Sequence, residues 1–464
     1  MTNTRVLVLR IVAAGSIAAM LIPLGACEGT RHQLLDVQTP DIINPSTITS
    51  PEAADALRVG ALARVRTETA GGEGAWMLGA LMTDEWKSSD TFFQRNETDQ
   101  RSVEESNANV QIFYTALGQT RNSAREAINA LVTYKPNPPW GIGQMWWAMG
   151  FTELTLAETF CNGIPLGDAS KGVPVYGMPL TGAQVDSAAN AHFDSALTLL
   201  SATDATTQQI RQTVLISKAR TLVDLGQFAA AAALVPASVI PTNFTNPVVT
   251  FSTTSGDNQI WSLNNSQKRW TVGDSFDTGG LIKNAIPFAS AGDPRVVVKG
   301  TSTGTSPSGS GFDTQTHLIV QLIWGRDDPV NIVSGIDARL IEAEARLQAA
   351  DYAGMMTILN ALRGSPQVLG ALLTTPVMAA LPTPTTQSAA IALFFREKAF
   401  WQFSRGFRLS DQRRQIRQYG MTQDNVFPFG SFFKGGNYGT DVNFPVTTNE
   451  YQNPNFHGCL DRKA

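Results

Sequence analysis

The sequence predicts a mainly α-helical protein in which helical hairpins carry long irregular loops. Three observations support this. Ala219, Gly226 and Phe228 stand at the spacing of a tetratricopeptide-like hairpin: a small residue for close packing, a turn residue, then an aromatic wedge. Ala343, Ala350 and Tyr352 repeat that spacing, and Ile336, Leu340, Ala343 and Leu347 mark one apolar helix face. The chain also holds 39 glycines and 24 prolines, which call for many turns and long connections. The two hairpins are too far apart in sequence to form a tandem array.

Composition excludes several classes. Of 464 residues, 43% are hydrophobic and 16% charged, which fits neither a disordered chain nor a multi-span membrane protein. The 35 basic and 39 acidic residues leave a net charge of -4, and no long basic run occurs. Nucleic acid is therefore not an expected partner.

The elements follow in order. Arg5 and Arg10 precede an apolar run over residues 11–23, too short to span a bilayer and suited to export. Leu24-Gly25-Ala26-Cys27 matches a bacterial lipobox, so residues 1–26 read as a removable signal and Cys27 as the lipidated residue. Several acyl chains would anchor such a protein firmly in lipid. Residues 27–50 read as a lipidated N-terminus and tether. Helices are expected over 51–68, with Ser50 as N-cap, then over 110–132 and 143–160. A helical pair over 181–201 and 208–225 and a short helix ending at 235 follow. Residues 236–334 form a loop-rich excursion with β-like runs at 295–299 and 317–324 and a low-complexity loop at 301–311. The second hairpin, a loop at 376–386 and a strong helix at 388–403, continued by a basic one to 419, complete the helical part. The last residues read as loop. We expect 51–464 to be a single domain.

Catalytic patterns are weak. His32, His192, His317 and His457 are scattered, so no metal site is expected. Neither a P-loop nor G-x-G-x-x-G occurs, so no cofactor is expected. The G-x-S-x-G match at 300–304 lies in a Ser/Thr/Gly loop rather than between a strand and a helix. Asp84 and Glu85 are adjacent and cannot by themselves flank a glycosidic bond from two sides. Phe400, Phe403 and Phe407, amid Arg396, Arg405, Arg408, Arg413, Arg414 and Arg417, read as a core stripe with buried arginine–carboxylate pairs. If Cys27 is lipidated, Cys161 and Cys459 remain, and in an exported chain they most simply form one disulfide; the alternative is two buried thiols.

Several segments resemble the SusD/RagB family of outer-membrane nutrient-binding lipoproteins. Arg396-Glu397 through Gly406-Phe407-Arg408-Leu409-Ser410-Asp411-Gln412-Arg413-Arg414 is similar to its R-E…G-x-R-x-x-D-x-R-R helix pair. Phe444-Pro445-Val446, Glu450 and Asn453-Pro454-Asn455 are similar to its terminal signature, and residues 337–363 to its central hairpin, with Asp337 for the usual Glu. The Asp-Glu region at 78–85, the helix around 153–158 and the lipobox fit as well. Cys161 and Cys459 match no family-wide pattern. The resemblance implies an α-superhelix of tetratricopeptide-like hairpins with irregular ligand-binding loops. It further implies a lipid-anchored protein exposed on the bacterial outer membrane, not an enzyme. Such a protein captures oligosaccharide and delivers it to a SusC-like TonB-dependent transporter. Oligopeptide binding within the same family and a ligand-free helical adaptor are the rival readings.

Sugar recognition uses flat aromatic faces framed by polar side chains. Of nine tryptophans, Trp146, Trp147 and Trp401 lie inside strong helices and read as core. Trp76, Trp86, Trp261, Trp270 and Trp324 lie on or beside loops and are the ligand candidates, with Asp84, Glu85, Asn264 and Arg326 as polar neighbours.

Overall fold

In a computed structural model, residues 48–464 are described, apart from 172, 247, 253, 278, 279 and 305. The signal segment, Cys27 and most of the tether lie outside the described residues. Helix α1 (Pro51–Ala70) starts where sequence predicts: the Ser50 hydroxyl accepts from the Ala53 N–H at 3.2 Å, and proline occupies the first helical position. A π-helical turn (Ala75–Gly79), strand β1 (Trp86–Ser88) and the unpredicted helix α2 (Phe93–Asp99) follow. Helix α3 (Ala108–Tyr134) is capped by Asn107, and α4 (Trp140–Thr159) starts directly after the proline-rich break. Strands β2 (Ile164–Pro165) and β3 (Pro179–Leu180) close a loop before α5 (Gly182–Thr198), which has a Thr181–Gln184 capping box.

Helices α6 (Ala205–Asp224) and α7 (Phe228–Leu234) form the first hairpin around Gly226, whose φ is 75°. The excursion contains α8 (Gln259–Trp261), β4 (Trp270–Val272), β5 (Phe276–Asp277), β6 (Gly280–Leu281), β7 (Val298–Lys299) and β8 (Val320–Gln321). The two β-like runs pair with each other, Val298 opposite Gln321. The second hairpin is α9 (Gly335–Gln348) and α10 (Tyr352–Arg363), started by a Ser334–Asp337 capping box. Strands β9 (Val368–Gly370) and β10 (Leu373–Thr374), then α11 (Gln387–Trp401) and α12 (Arg408–Tyr419), complete the order.

Helices pack on their sequence neighbours: α1 on α3, α3 on α4, α4 on α5, α5 on α6, α6 on α7, α7 on α9 and α9 on α10 and α11. The result is an α-superhelix of tetratricopeptide-like hairpins. Close approach is built into the sequence at Gly150 of α4, where a Cβ would stand 2.9 Å from the Phe193 ring of α5. Ile336, Leu340, Ala343 and Leu347 are all buried in one cluster with α10 and α11, as their periodicity requires. Strands occur only as two-stranded antiparallel pairs among the described residues, and the pair β1–β4 sets Trp86 opposite Val272.

The segment predicted as a strong helix continued by a basic one is broken at residues 402–407. Ser404 and Gly406 adopt positive φ (57° and 74°), and a Cβ on Gly406 would stand 2.4 Å from Trp76. This turn aims the basic helix inward. Arg405 pairs with Asp337, Arg408 with Asp84, and Arg414 with Glu344 and Asp411, all buried. Phe400, Phe403 and Phe407 are buried beside them.

The C-terminal tail returns to the end of α4. Phe160 bridges Phe444 and Asn162 bridges Asp461. Cys161 and Cys459 form a disulfide across a sequence separation of 298, with Cα atoms 6.0 Å apart. Glu450 accepts from the Tyr114 hydroxyl at 3.0 Å, and Asn453 donates to the Gly177 carbonyl at 3.0 Å. These bonds give the terminal signature a structural reason.

Candidate functional site

Most of the predicted ligand residues lie in the interior. Trp76, Trp86, Trp270 and Trp324 are each at most 2% exposed and offer no face to a ligand in this structure. Trp86 packs on Phe403 and donates through Nε1 to Ser404 at 2.9 Å, so it holds the α11–α12 turn. Asn264 is fully buried and bonds the Trp270 and Ile319 carbonyls. Asp84 takes Nε and Nη2 of Arg408 at 2.7 and 2.8 Å, and accepts from the Ile286 N–H at 2.7 Å. Glu85 accepts from the Ser404 N–H at 2.9 Å, and burial pushes its carboxyl up to about 8. Both acids therefore serve the frame, and neither can flank a bond in a ligand. Of the set, Trp261 is half-buried and Arg326 exposed, the latter paired with Asp257 at 2.8 Å. Pairing of β1 with β4 encloses Trp86 and Trp270, and Trp76 lies under the Gly406 turn.

Three exposed phenylalanines belong to one group of loops. Phe92, Phe93 and Phe312 are 48%, 71% and 46% exposed. Four separate segments join to present them. The Ser89 N–H donates to the Arg269 carbonyl at 3.0 Å, and the Ser89 hydroxyl to the Lys268 carbonyl at 2.8 Å. The Phe312 N–H donates to the Lys268 carbonyl at 2.8 Å, and the Asp313 N–H to the Ser89 carbonyl at 3.0 Å. Lys434 closes the group, donating to the Asp90 carbonyl and to Asn96 at 2.8 Å and pairing with Asp313 at 2.8 Å.

At the centre stands Arg269. Its guanidinium lies 4.6 Å from the Phe92 ring centre and 3.9 Å from that of Phe312. Nη1 donates to Asp90 at 2.7 Å, and the other oxygen of Asp90 takes Arg95 at 2.6 Å. Burial alone would raise the Asp90 carboxyl, but its bonds to Arg269 and Arg95 bring it below its ordinary value. The arrangement is a rigid, water-facing aromatic platform framed by amide, hydroxyl and cationic groups. Such a surface suits stacking against the C–H faces of a sugar ring.

A separate cleft of about 270 Å³ lies between α3, the loop joining β2 to β3 and the tail. Tyr114, Arg121, Asp168, Tyr176 and Glu450 line it. Its polar groups are largely engaged: Arg121 with Glu153 and Asp168 with Arg125, both partners from outside the lining, and Tyr114 with Glu450. Burial raises the Glu450 carboxyl above its ordinary value. Among the described residues, no group of three or more His, Cys, Asp and Glu side chains is placed to hold a metal ion. No described helix is long and apolar enough to cross a membrane.

No protein-family model and no curated protein matches this sequence. Solved structures do match in shape. A SusD-like carbohydrate-binding protein from Bacteroides fragilis superposes with a TM-score of 0.63 at 14% identity, over 88% of this chain and 99% of that one. Surface glycan-binding protein A from Bacteroides uniformis gives 0.62 at 13%, over 88% and 99%. A SusD superfamily protein from Bacteroides thetaiotaomicron gives 0.59 at 12%, over 89% and 99%. This chain has the SusD-like fold.

Proposed function

We propose that the protein is a bacterial cell-surface lipoprotein, anchored through Cys27, that captures oligosaccharide on the platform of Phe92, Phe93 and Phe312. It then passes the ligand to a SusC-like TonB-dependent transporter in the outer membrane. Capture is non-covalent. The observation that carries the reading is the platform itself: two water-facing phenyl rings, Phe92 and Phe312, held against the Arg269 guanidinium beside the exposed Phe93, on a fold otherwise shared with sugar-binding proteins. The lipobox and the likeness in fold support the location and the transporter partner.

A glycan array probed with the mature chain tests the capture step. Binding to one oligosaccharide class is expected. Replacing Phe92 and Phe312 together by Ala should remove about 1–3 kcal/mol of stacking, a loss of about fivefold to 150-fold in affinity. Silence on glycans with enrichment of peptides from a mixture would replace sugar by peptide as the ligand. Co-purification of the membrane-anchored chain with a TonB-dependent transporter tests the delivery step, and recovery of the chain alone would count against it.

A further inference from the structure

The chemistry at the centre of the platform narrows the ligand class, given the capture reading above. An exposed arginine normally moves freely. Arg269 does not: two rings lie within 4.6 Å of its guanidinium, Asp90 holds Nη1, and its side chain is only 18% exposed. Its main chain is fixed as well, because the Arg269 carbonyl accepts from Ser89 and its N–H donates to the Leu263 carbonyl at 2.8 Å. Yet Nε and Nη2 have no acceptor in the protein among the described residues, and neither is sealed from solvent. Two parallel N–H donors are thus held ready at the edge of an aromatic surface.

That geometry is the fork that matches a planar or tetrahedral oxyanion. The carboxylates nearby do not occupy it. Asp90 has no exposed side-chain surface, and both its oxygens are taken by Arg95 and Arg269. Asp313 is engaged by Lys434 and by its own turn, through the Thr316 N–H and hydroxyl. The free donors at this spot therefore face the ligand side. A neutral sugar hydroxyl would use one of them; a carboxylate or sulfate would use both.

We propose that the platform selects acidic oligosaccharides, with a uronate carboxylate or sulfate ester accepting from Nε and Nη2 of Arg269 while Phe92 and Phe312 stack on the adjoining sugar rings. A charge-assisted pair contributes about 1.5–3 kcal/mol, so the acidic ligand should bind about tenfold to a hundredfold more tightly than its neutral counterpart.

The test uses the full mature chain and calorimetric titration with a panel of acidic oligosaccharides. Each is paired with its own neutral form: the methyl ester for a uronate, the desulfated sugar for a sulfate. At least one acidic member should bind more tightly than its partner, with an affinity that falls as salt rises. Uronates and sulfates in separate arms show which oxyanion is preferred. Arg269→Gln should abolish the difference between charged and neutral forms, weakening the acidic ligand far more than its neutral partner. Arg269→Lys keeps charge without the fork and should retain only part of the difference. Unfolding midpoints of both variants check that the loops remain folded. Equal binding of charged and neutral forms, or a preference that survives Arg269→Gln, would overturn the inference and leave sugar capture standing. If Phe92→Ala with Phe312→Ala leaves all glycan binding intact, the platform is not the site and both readings fall. Silence of the entire panel would overturn both as well.

Discussion

Asp84 and Glu85 are neighbours in sequence and meet different surroundings. Asp84 receives the Arg408 fork, whereas Glu85 receives one backbone N–H and leaves Oε2 without a partner. Removing Arg408 would strand a buried carboxylate. Arg408→Ala should therefore cost about 3–5 kcal/mol in urea unfolding, and a loss below about 1 kcal/mol would show that water reaches the site. Glu85 predicts a pH dependence. Burial raises its carboxyl to about 8 in the folded state, and does the same for Asp99 (about 7) and Glu158 (about 8). A raised folded value means that the folded state binds more protons than the unfolded one. Stability is then complete below the ordinary carboxylate range and declines as pH climbs through about 8. Glu85→Gln should flatten part of this slope, gaining relative stability at about pH 9 over about pH 5. An unchanged slope in denaturant titrations at the two pH values would refute the assignment.

At the scale of elements, helix positions were legible because caps and breakers are local. Ser50, Asp204 and Ser334 each bond an N–H one turn ahead, and a reader needs only three or four residues to see it. Helix α2 was not legible. Its sequence has no apolar stripe, and its neighbourhood is held from outside, by Asp99 accepting from the Ser88 N–H at 2.7 Å and by Arg101 donating to the carbonyls of Pro428 and Asp441. The two helices α11 and α12 were legible, but the tight turn between them, where Trp76 packs against Gly406, was not. The α4–α5 contact makes a prediction of its own. Gly150→Val would drive a branched side chain into Phe193, costing about 1–3 kcal/mol in chemical denaturation. A neutral effect would mean that the two helices separate without loss.

For the molecule as a unit, Thr49 to Ala464 form one compact body, and the disulfide ties its tail to the end of α4. Replacing Cys161 and Cys459 together by Ser should lower stability by about 2–5 kcal/mol and open the tail to protease before the helical body. Equal proteolysis of variant and parent would show that Phe444, Asn453 and Asp461 hold the tail unaided. In the proposed function the anchor is a local sequence signal at Cys27, whereas the platform is a meeting of loops.

That contrast separates what sequence alone determined from what only tertiary structure decided. Helices, caps, hairpin spacing, the buried arginine–carboxylate stripe and the cysteine pairing rest on periodicity, local bonds and simple counting, so they were readable in the chain. The proposed binding surface was not. Trp86, Trp270 and Trp324 sit beside loops in sequence, yet pairing of β1 with β4 and the return of the excursion bury them. Phe92 and Phe312 carry no binding signal in sequence, and segments 179 residues apart meet at Ser89 and Lys268 beside them. Burial is a property of what covers a residue, and no local pattern in this chain records which loop comes back to cover which side chain.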